Sequence, residues 1–486
     1  MTAIHCCTVV SRNYLAHARV LAESFLEHNP HGRFSLLLVD RDLDGLPDAG
    51  EPAANDSFEL LLPEDVGVDR REFDRRATMY SAQGMAASLK PDMLRTLLAR
   101  QGGPVVAIDA DGCVYDDLTP IAELARAHAV VLSPHSLDPY PLRGANADSP
   151  RWGRDSPDQM VMRSGVMNGG LVAVGRGGDE FLDWWSQRTR RRCVFDVRYG
   201  LMLVQTWLTP AAFLFDSAVL RDRGCNVAGW NMQARDVQWE GELPLIDGGP
   251  LRHFHFAGGF DPERPGMLSW HPELLDWWPS LDERPGAARL TREYADRLFE
   301  AGYRELRAMP GPSDFAPDGK PIEPWMREIY RQGSMEAERR GEAEPPNPFS
   351  DGAERFAEWL SERVQEADGG STSPQRQAER ALDPGRPELR SALFEAGRLL
   401  ERVGELERIR DEAIGWAERV SAELRESEAA LAAARAEVEG AQMELRRALA
   451  TLEGVLGSVS WRLTKPLRGL KASFKRPLPR VSRRRA

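Results

Sequence analysis

Val105-Val106-Ala107-Ile108-Asp109-Ala110-Asp111 places a short apolar run directly before two carboxylates that are one residue apart. A continuous apolar run rich in β-branched residues is typical of a buried strand in a parallel sheet. In an extended chain the side chains at positions i and i+2 point the same way, so Asp109 and Asp111 share one face where the strand ends. We therefore predict an α/β protein with this pair at the carboxyl edge of its sheet, where ligands bind.

Two interpretations of the carboxylate pair stay open. Adjacent carboxylates repel each other, and a divalent cation that prefers oxygen ligands relieves the repulsion. The D-x-D pattern of Asp109 and Asp111 therefore predicts a site for Mg²⁺ or Mn²⁺ and a diphosphate. The alternative is that one Asp caps the following helix while the other is merely solvated.

Length, charge and cysteine usage exclude several classes of protein. The 486 residues suffice for about three domains. With 63 basic and 75 acidic residues the net charge is −12, which argues against nucleic acid as a partner. The five cysteines contain no C-x-x-C pair, so neither a zinc site nor a disulfide framework is predicted. We expect a cytoplasmic protein, because neither a signal peptide nor an apolar run of about 18 residues is present.

The order of elements at the start of the chain supports a parallel sheet. A strand is predicted from Ile4 to Val10, then a helix with apolar residues at helical spacing from Leu15 to Leu26, then a strand from Phe34 to Asp40. Short β-α-β connections of this kind favour parallel strands with right-handed crossovers. Further predictions are a helix at 78–99, strands at Val130–Ser133 and Val166–Val174, and a long loop at 136–158.

Seven short motifs follow one another across residues 4–262. They are Thr8-Val9-Val10-Ser11-Arg12-Asn13-Tyr14, Lys90, Asp109-Ala110-Asp111, Asn168-Gly169-Gly170, Gln205 with Trp207, Asn226-Val227-Ala228-Gly229-Trp230-Asn231, and His255-Phe256-Ala257-Gly258. In this order and spacing they resemble the motifs of retaining GT-A glycosyltransferases of the glycogenin/LPS-galactosyltransferase type (glycosyltransferase family 8). The resemblance implies a GT-A fold, which is Rossmann-like, with a mostly parallel sheet and helices on both faces. It also implies sugar transfer with retention from a nucleotide-sugar donor to a glycan or glycolipid acceptor.

The same resemblance implies roles for individual residues. Asp109, Asp111 and His255 are the expected ligands of Mn²⁺ or Mg²⁺, although His253 lies on the same strand face and stays an alternative ligand. Gln205 is the catalytic candidate nearest the reacting carbon, but the family's usual Asp before it is Val204 here. The expected donor-binding residues are Thr8, Asn13, Tyr14, Lys90, Asp109, Asn168, Gly169, Trp230, Asn231 and Gly258.

Each of these residues also has a purely structural interpretation. His255 stands between two phenylalanines and would suit an apolar core. Lys90 would suit a solvated helix face, and Trp230-Asn231 a packed Trp beside a turn. Asn13-Tyr14 and Asn168-Gly169 would suit ordinary turns.

Two other functions compete with sugar transfer. A nucleotidyltransferase also uses paired carboxylates and a metal, but it normally carries a Gly-rich loop where this chain has Ser11-Arg12-Asn13-Tyr14. A non-catalytic scaffold with a degenerate transferase domain is the other alternative. Val204 favours the scaffold, whereas the intact set of Asp109, Asp111 and His255 disfavours it.

We predict five regions along the chain. They are a GT-A catalytic domain at 1–285, a helical extension packed on it at 286–365, a flexible linker at 366–388, a coiled coil at 389–459 and a basic amphipathic tail at 460–486. From position 403 to 455, a seam of residues spaced three and four apart is interrupted only by the polar residues Arg410 and Ser427. A coiled coil needs a partner helix, so we expect a homo-oligomer. The alternative is one long Ala-rich helix.

The tail has its own predicted partner. Residues 461–486 contain ten Lys or Arg and no acid, interspersed with Trp461, Leu463 and Phe474. A cationic, partly apolar segment suits an anionic membrane surface, which would place the protein peripherally on the inner face of the membrane. A solvated tail, or one that folds back on the acidic body, is the alternative.

Overall fold

A computed structural model describes residues 4–40, 58–140, 157–196, 200–269, 278–311, 313–369, 440–451, 453–454 and 457. The chain divides into two units, Met1–Gly370 and Ser371–Ala486. Within the described ranges, no helix is both long and apolar enough to cross a membrane. Residues 366–369 of the predicted linker are helical, whereas the rest of the linker, most of the predicted coiled coil and the whole basic tail lie outside the described residues.

The first unit is built around a seven-stranded sheet with the order β10-β6-β7-β4-β1-β2-β3. β7 is antiparallel to both β4 and β6, and every other pairing in this sheet is parallel. Its strands are β1 (His5–Val10), β2 (Arg33–Leu38), β3 (Glu59–Leu61), β4 (Val105–Ile108), β6 (Val130–Pro134), β7 (Met167–Val174) and β10 (Ser217–Val219). The predicted α/β class with a mostly parallel sheet is confirmed.

Helices cover both faces of this sheet. They are α1 (Leu15–His28), α2 (Arg70–Met79), α3 (Ala82–Gln101), α4 (Thr119–Ala127), α5 (Pro157–Ser164), α6 (Asp179–Arg192), α7 (Gln205–Leu214), α8 (Pro285–Glu300), α9 (Tyr303–Arg307), α10 (Pro324–Arg340) and α11 (Ala353–Gly369). Helices α1, α4 and α8 contribute to one core and α3, α6 and α7 to the other. Both flanking layers agree with the expected architecture.

Strand β4 shows why the sequence here is continuously apolar. Val106 and Ile108 lie in the core beneath α1 and α4, whereas Val105 and Ala107 lie in the core beneath α3 and α6. A strand covered by helices on both faces has no solvent-facing side, so alternation with polar residues is lost. The apolar run of the opening stretch is therefore a consequence of its central place in the sheet.

The predicted boundaries shift by a few residues. The helix predicted at 78–99 is observed as α2 and α3, separated at Tyr80 and Ser81. Ser81 caps α3 by accepting a hydrogen bond from the Gly84 N–H at 3.4 Å, and Gly102 ends the helix with a φ of +62°. Such caps satisfy backbone groups that a helix leaves unpaired at its ends.

Three smaller sheets contain the remaining strands of the described part of the chain. β11 (Val237–Glu240), β12 (Leu243–Ile246) and β13 (Gly249–Pro250) form one, and β8 (Phe195–Asp196) with β9 (Leu201–Met202) forms another. The third pairs β5 (Gly112–Val114) antiparallel with β14 (His253–His255), with His255 opposite Gly112. This pairing brings the end of β14 to the carboxyl edge of β4.

Helices α10 and α11 pack within the same unit. Arg327 of α10 donates hydrogen bonds to the carbonyl oxygens of Ala77 and Tyr80 at 2.8 and 2.7 Å. Tyr330 of α10 is buried and contacts the Phe356 ring of α11 edge-on, with centroids 6.0 Å apart. The domain boundaries at 285 and 365 remain predictions.

Candidate functional site

The two carboxylates stand on a tight turn between β4 and β5. The Asp109 N–H donates to the Gly170 carbonyl oxygen at 2.9 Å, and the Gly112 N–H donates back to the Asp109 carbonyl oxygen at 3.0 Å. The Asp111 carbonyl oxygen accepts from the Phe256 N–H at 2.7 Å, which fastens the turn to the segment after β14. Backbone hydrogen bonds thus fix the main chain of both residues without using either side-chain carboxylate.

His255 reaches these carboxylates from β14. Its Nε2 atom lies 3.1 Å from Asp111 Oδ1 and 4.0 Å from Asp109 Oδ2, and the side chain is only 4% exposed. His253 is fully buried on the same strand, and its ring lies against Gly112, where an added Cβ would come within 2.4 Å of Nε2. Of the two histidines, the geometry therefore brings His255 to the acidic pair.

The cluster of Asp109, Asp111 and His255 has the chemistry of a divalent cation site. One ligand atom from each residue can be chosen so that all three lie within 4.8 Å of one another. Two carboxylate oxygens and one imidazole nitrogen form a donor set that suits Mn²⁺ and, less naturally, Mg²⁺. The residues present therefore fit the expected metal.

The paired charges of Asp111 and His255 shift each other's pKa. Burial by itself would raise the pKa of Asp111, but the attraction and hydrogen bond of His255 bring it below the usual value. Burial by itself would lower the pKa of His255, but Asp111 raises it above the usual value, with a further contribution from Asp109. Since a metal ligand must be unprotonated, cation binding here is coupled to loss of a proton.

Lys90 completes the charged group from the other side. Its ammonium lies 2.5 Å from Asp109 Oδ1 and 2.7 Å from the Gly169 carbonyl oxygen. The Lys90 side chain is only 5% exposed. The interpretation of Lys90 as a charge on a solvated helix face is therefore wrong. A buried ammonium beside one carboxylate offsets part of the repulsion between the pair.

The expected catalytic candidate, Gln205, is fully engaged by its neighbours. Its Oε1 atom accepts hydrogen bonds from Asn168 Nδ2 at 2.9 Å and from the Gly169 N–H at 3.1 Å. Its Nε2 atom donates to the Ser164 carbonyl oxygen at 3.0 Å. Gln205 thereby holds the first residues of β7, including Gly169, whose carbonyl oxygen accepts from Lys90. Asn168 and Gly169 lie in this strand and not in an ordinary turn.

Val204 lies in the apolar core beside β7. It is 4% exposed, and a Cβ added at Gly169 would come within 2.7 Å of its side chain. Its carbonyl oxygen accepts from the Trp185 indole N–H at 3.3 Å. An aliphatic residue at this position is thus accommodated by packing rather than by contact with the acidic cluster.

Trp230 packs against the His255 ring, and its neighbour Asn231 is held by backbone atoms of the surrounding loops. The Trp230 ring contacts His255 edge-on, with centroids 5.3 Å apart. Asn231 is 1% exposed and donates from Nδ2 to the carbonyl oxygens of His135 and Asn226 at 3.0 and 2.9 Å. Their described contacts hold the loop in place. Donor contact by either residue stays a prediction.

The residues expected from the first motif lie at the end of β1, the strand next to β4. Thr8 is buried within β1, and Ser11 donates to Asn13 Oδ1 at 2.5 Å. Tyr14 is 39% exposed and stacks on the His17 ring at 4.6 Å. Gly258, in the turn after β14, has a φ of +80° and its carbonyl oxygen accepts from Ser269. The pKa of the Tyr14 hydroxyl is raised to about 12, first by burial and then by the negative charge of Asp111.

Sequence reasoning gave no role to two residues of this neighbourhood. His135 follows β6, and its Nε2 atom lies 3.2 Å from Asn168 Nδ2. Asn226 contacts His255, with its Oδ1 atom 3.3 Å from Nδ1. His135 comes directly after a buried strand, so the rule that singled out Asp109 could have found it. Asn226 had no such signal beyond its place in the quoted W-N stretch.

The sequence matches no family model and no curated protein. Among solved structures, the chain is similar to several glycosyltransferases. A galactosyltransferase LgtC in complex with donor and acceptor sugar analogs is 15% identical over 61% of this chain and 95% of its own, with a TM-score of 0.34. GlyE of Streptococcus pneumoniae TIGR4 is 15% identical over 65% of this chain and 67% of its own, also with a TM-score of 0.34.

A third similar structure comes from a eukaryote. Mouse xyloside xylosyltransferase 1 is 11% identical over 52% of this chain and 98% of its own, with a TM-score of 0.32.

Proposed function

We propose that this chain is a metal-dependent glycosyltransferase that moves a sugar from a nucleotide-sugar donor to a glycan or glycolipid acceptor, with retention. The observation that carries the proposal is the cluster of Asp109, Asp111 and His255 at the carboxyl edge of the central strand. Ligands of open α/β sheets bind at this edge. The motif order from the first strand to His255 supports the same function.

The leaving group of such a reaction is a nucleoside diphosphate, which gains negative charge as the sugar departs. Mn²⁺ or Mg²⁺ held by Asp109, Asp111 and His255 would stabilise that charge as a Lewis acid. Lys90, already fixed between Asp109 and the Gly169 carbonyl oxygen, adds a positive charge that needs no rearrangement. Stabilisation of the leaving group is therefore the part of the chemistry that these residues support best.

In the proposed enzyme, Gln205 has a positioning role rather than that of a nucleophile. Both ends of its amide are already hydrogen-bonded to Asn168, Gly169 and Ser164. In the proposed enzyme it keeps the start of β7 in place, and through the Gly169 carbonyl oxygen it keeps Lys90 beside Asp109. Retention is inferred from the resemblance of the motifs to those of retaining glycosyltransferases.

The competing nucleotidyltransferase function lacks a matching loop. The turn after β1 is a short 3-10 helix, Arg12–Tyr14, and the Arg12 N–H is held by Asp40 Oδ2 at 2.8 Å. A loop tied down in this way does not provide the flexible, Gly-rich phosphate cradle of that class. The scaffold alternative is disfavoured by the assembled cluster.

Oligomerisation and membrane contact form a separate part of the proposal. Residues 440–451 are helical, and Leu445 on the predicted seam is 60% exposed. An exposed leucine on this seam supports the proposal that the helix buries its apolar side against a partner helix. We propose that the partner is a second copy of the chain. The basic tail would then contact an anionic membrane surface.

The function is tested by incubating the full chain with a panel of nucleotide sugars and Mn²⁺ and measuring released nucleoside diphosphate by chromatography. We expect slow, Mn²⁺-dependent hydrolysis of one donor that chelation abolishes and acceptor addition accelerates. Release of pyrophosphate from a nucleoside triphosphate and a sugar phosphate would instead identify a nucleotidyltransferase. Failure to bind or turn over any of these compounds would favour the scaffold.

A further inference from the structure

A cavity of about 500 Å³ lies beside the C-terminal end of α6, and the proposed function gives it no role. Its volume falls within the range of roughly 300–1,000 Å³ that is common for small-molecule sites. None of the residues that line it belongs to the cluster of Asp109, Asp111 and His255. The lining side chains come from α6, α7 and α10 and are Gln187, Arg188, Arg190, Arg192, Trp207 and Glu338.

The lining of this cavity is positively charged. It contains three guanidinium groups and a single carboxylate, so two positive charges are not balanced within the lining. Arg188 donates from Nη1 to the Trp184 carbonyl oxygen at 2.8 Å, which is a neutral acceptor. Within the described part of the chain, neither Arg188 nor Arg192 forms an ion pair with a carboxylate. Both guanidinium groups are therefore available to an anion.

Arg190 shares its acidic partner with other cations. Its Nε atom lies 3.6 Å from Glu72 Oε1, and its side chain is 46% exposed. The same carboxylate oxygen lies 2.9 Å from Arg76 Nε and 3.1 Å from Arg191 Nη1. Because two buried guanidinium groups already engage Glu72, it compensates little of the charge of Arg190.

Arginines in the last turn of a helix also complement the helix dipole, and Arg191 illustrates such a structural role. Its side chain is 5% exposed and pairs with Glu72 and Glu344 at 3.1 and 3.0 Å. Arg188 lacks partners of this kind, and its pKa is lowered first by burial and then by the positive charge of Arg192. The dipole accounts for a basic helix end, but not for two like charges at one cavity.

Aromatic contacts hold one wall of the cavity in place. The Arg188 guanidinium lies 4.1 Å from the centroid of the Trp184 ring. The Trp184 ring in turn contacts the Trp207 ring edge-on, with centroids 6.4 Å apart. Trp207 stands two positions after Gln205 in α7, so the cavity lies within one helical turn of the residue that holds the start of β7.

The lining combines the chemical groups that recognise a charged sugar. Guanidinium groups bind carboxylate and phosphate oxygens in a bidentate manner. An indole offers an apolar face to the C–H groups of a sugar ring, and the Gln187 amide and the Glu338 carboxylate can hydrogen-bond to hydroxyl groups. A ligand that satisfies this lining carries both an oxyanion and a sugar ring.

We propose that the cavity binds a sugar unit bearing a carboxylate or a phosphate group, with the oxyanion at Arg188 and Arg192 and the sugar ring at Trp207. A neutral sugar lacks the oxyanion and inorganic phosphate lacks the ring, so neither matches the whole lining. Assigning this unit to the acceptor glycan rests on the proposed function, whereas its binding in the cavity does not.

The proposal is tested by NMR titrations of the full chain at constant ionic strength, without metal or nucleotide sugar. The probes are glucuronate, glucose 6-phosphate, glucose and inorganic phosphate. We expect a charged sugar to bind at least about tenfold more tightly than glucose or inorganic phosphate. Tighter binding of glucuronate would assign a carboxylate, and tighter binding of glucose 6-phosphate a phosphate group. Equal affinity for glucose or for inorganic phosphate, or failure of both charged sugars to bind, would overturn the proposal.

Two substitutions locate the binding at the cavity. Arg192→Gln removes a guanidinium that forms no described ion pair, and Arg188→Gln removes the one that stacks on Trp184. We expect each to weaken binding of the charged sugar about 10- to 100-fold, because a hydrogen bond to a charged group is lost. Wild-type affinity in both variants, with folding verified by circular dichroism, would overturn the proposal.

The matched control is Arg126→Gln. Arg126 is also an exposed arginine in the last turn of a helix, α4, but it does not line the cavity. Its loss should leave the affinity for the charged sugar unchanged. The donor assay measures transferase activity separately. A chain that binds the charged sugar through Arg188 and Arg192, but releases no nucleoside diphosphate from any donor, would refute the proposed function and support the cavity site.

Discussion

Gly170 and His255 occupy a space that only one side chain can fill. A Cβ atom at Gly170 would lie 2.2 Å from Cε1 of the imidazole. Gly170 does not have a positive φ, so the requirement for glycine comes from the neighbouring ring rather than from the backbone. The third residue of the Asn168-Gly169-Gly170 motif therefore bears directly on where His255 stands.

We expect Gly170→Ala to displace the His255 ring and weaken Mn²⁺ binding at least about tenfold, in the range seen when a supporting residue of a metal ligand is lost. Overpacking should also lower the free energy of unfolding by about 1–3 kcal/mol. Gly103→Ala is the control, because no atom lies within 4 Å of a Cβ built there. Calorimetric Mn²⁺ titration and thermal unfolding of both variants test this. Equal affinities would contradict it.

Asp111→Asn should abolish sugar transfer while leaving the fold nearly intact. The substitution removes an anionic ligand, which costs several kcal/mol of leaving-group stabilisation. The carboxylate is partly exposed and lies 3.1 Å from His255 Nε2, so the unfolding free energy should change by less than about 1 kcal/mol. Turnover with Mn²⁺ and circular dichroism measure the two effects. Wild-type turnover would exclude the metal assignment.

His255→Ala should weaken Mn²⁺ binding far more than His253→Ala does. Only His255 places a ring nitrogen beside the carboxylates, whereas His253 is packed against Gly112. His253→Ala should instead lower the unfolding free energy by about 1–3 kcal/mol through the cavity it leaves. Paired metal titrations and thermal melts separate the two roles. Equal or reversed losses of affinity would mean that His253 is the ligand.

Gln205→Ala and Gln205→Glu should both reduce sugar transfer. Only for Gln205→Glu should the loss of stability relative to the wild-type protein depend on pH. The introduced carboxyl faces the Ser164 carbonyl oxygen, to which the amide now donates. When neutral it can donate the same hydrogen bond. When ionised it cannot, and the folded state loses about 1–3 kcal/mol.

The folded-state pKa of that introduced carboxyl is therefore raised relative to the unfolded chain. Below the usual carboxyl pKa of about 4 both states are neutral and no penalty exists. The deficit in Tm relative to wild type should grow as the pH rises from about 4 to 7. The deficit of Gln205→Ala should stay constant over this range. A constant deficit for both variants would contradict the assigned hydrogen bond.

The C-terminal residues 389–456 should self-associate, most simply as a parallel dimer. Ala occupies many seam positions and buries little area, so the coiled coil should be weak. Each tail carries ten cations, worth about 1 kcal/mol apiece near an anionic surface. Dimerisation would add avidity, and salt should weaken the binding.

Sedimentation of the full chain and of a chain ending at Gly385, with and without anionic vesicles, tests both expectations. A monomeric full chain that ignores the vesicles at low salt would exclude the coiled coil and the membrane contact together. The seam would then belong to a single helix that acts as a spacer.

The central strand and its carboxylates could be predicted because their signal is local. An apolar run at 105–108 followed by Asp109 and Asp111 contains the strand, its burial on both faces and its polar end within seven residues. The assembly of Lys90 and His255 beside them was anticipated only through motif order. The sequence around His255 contains no pattern that predicts its pairing with Gly112 in a sheet.

Other features escaped prediction because they depend on three-dimensional contact. The engagement of Gln205 with Ser164 is invisible in sequence, since the two are 41 positions apart. The requirement for glycine at position 170 reflects a ring supplied 85 residues later, so spacing rules for turns could not reveal it. The break between α2 and α3 at Tyr80 and Ser81 could have been predicted, because Ser81 is a typical N-cap residue. The prediction of one helix used only the periodicity of apolar residues.

The distance in sequence between His255 and its neighbours affects how the site forms. All seven strands of the central sheet lie within His5–Val219, but His255 meets Asp111 across 144 residues, by way of the late strand β14. Contacts of such long sequence separation carry a large loop-closure cost and tend to form late in folding. During synthesis all seven strands can therefore be complete while His255 is still inside the ribosome. A chain stalled or cleaved before β14 would contain all seven strands of the central sheet but not His255, so it would lack the complete cluster.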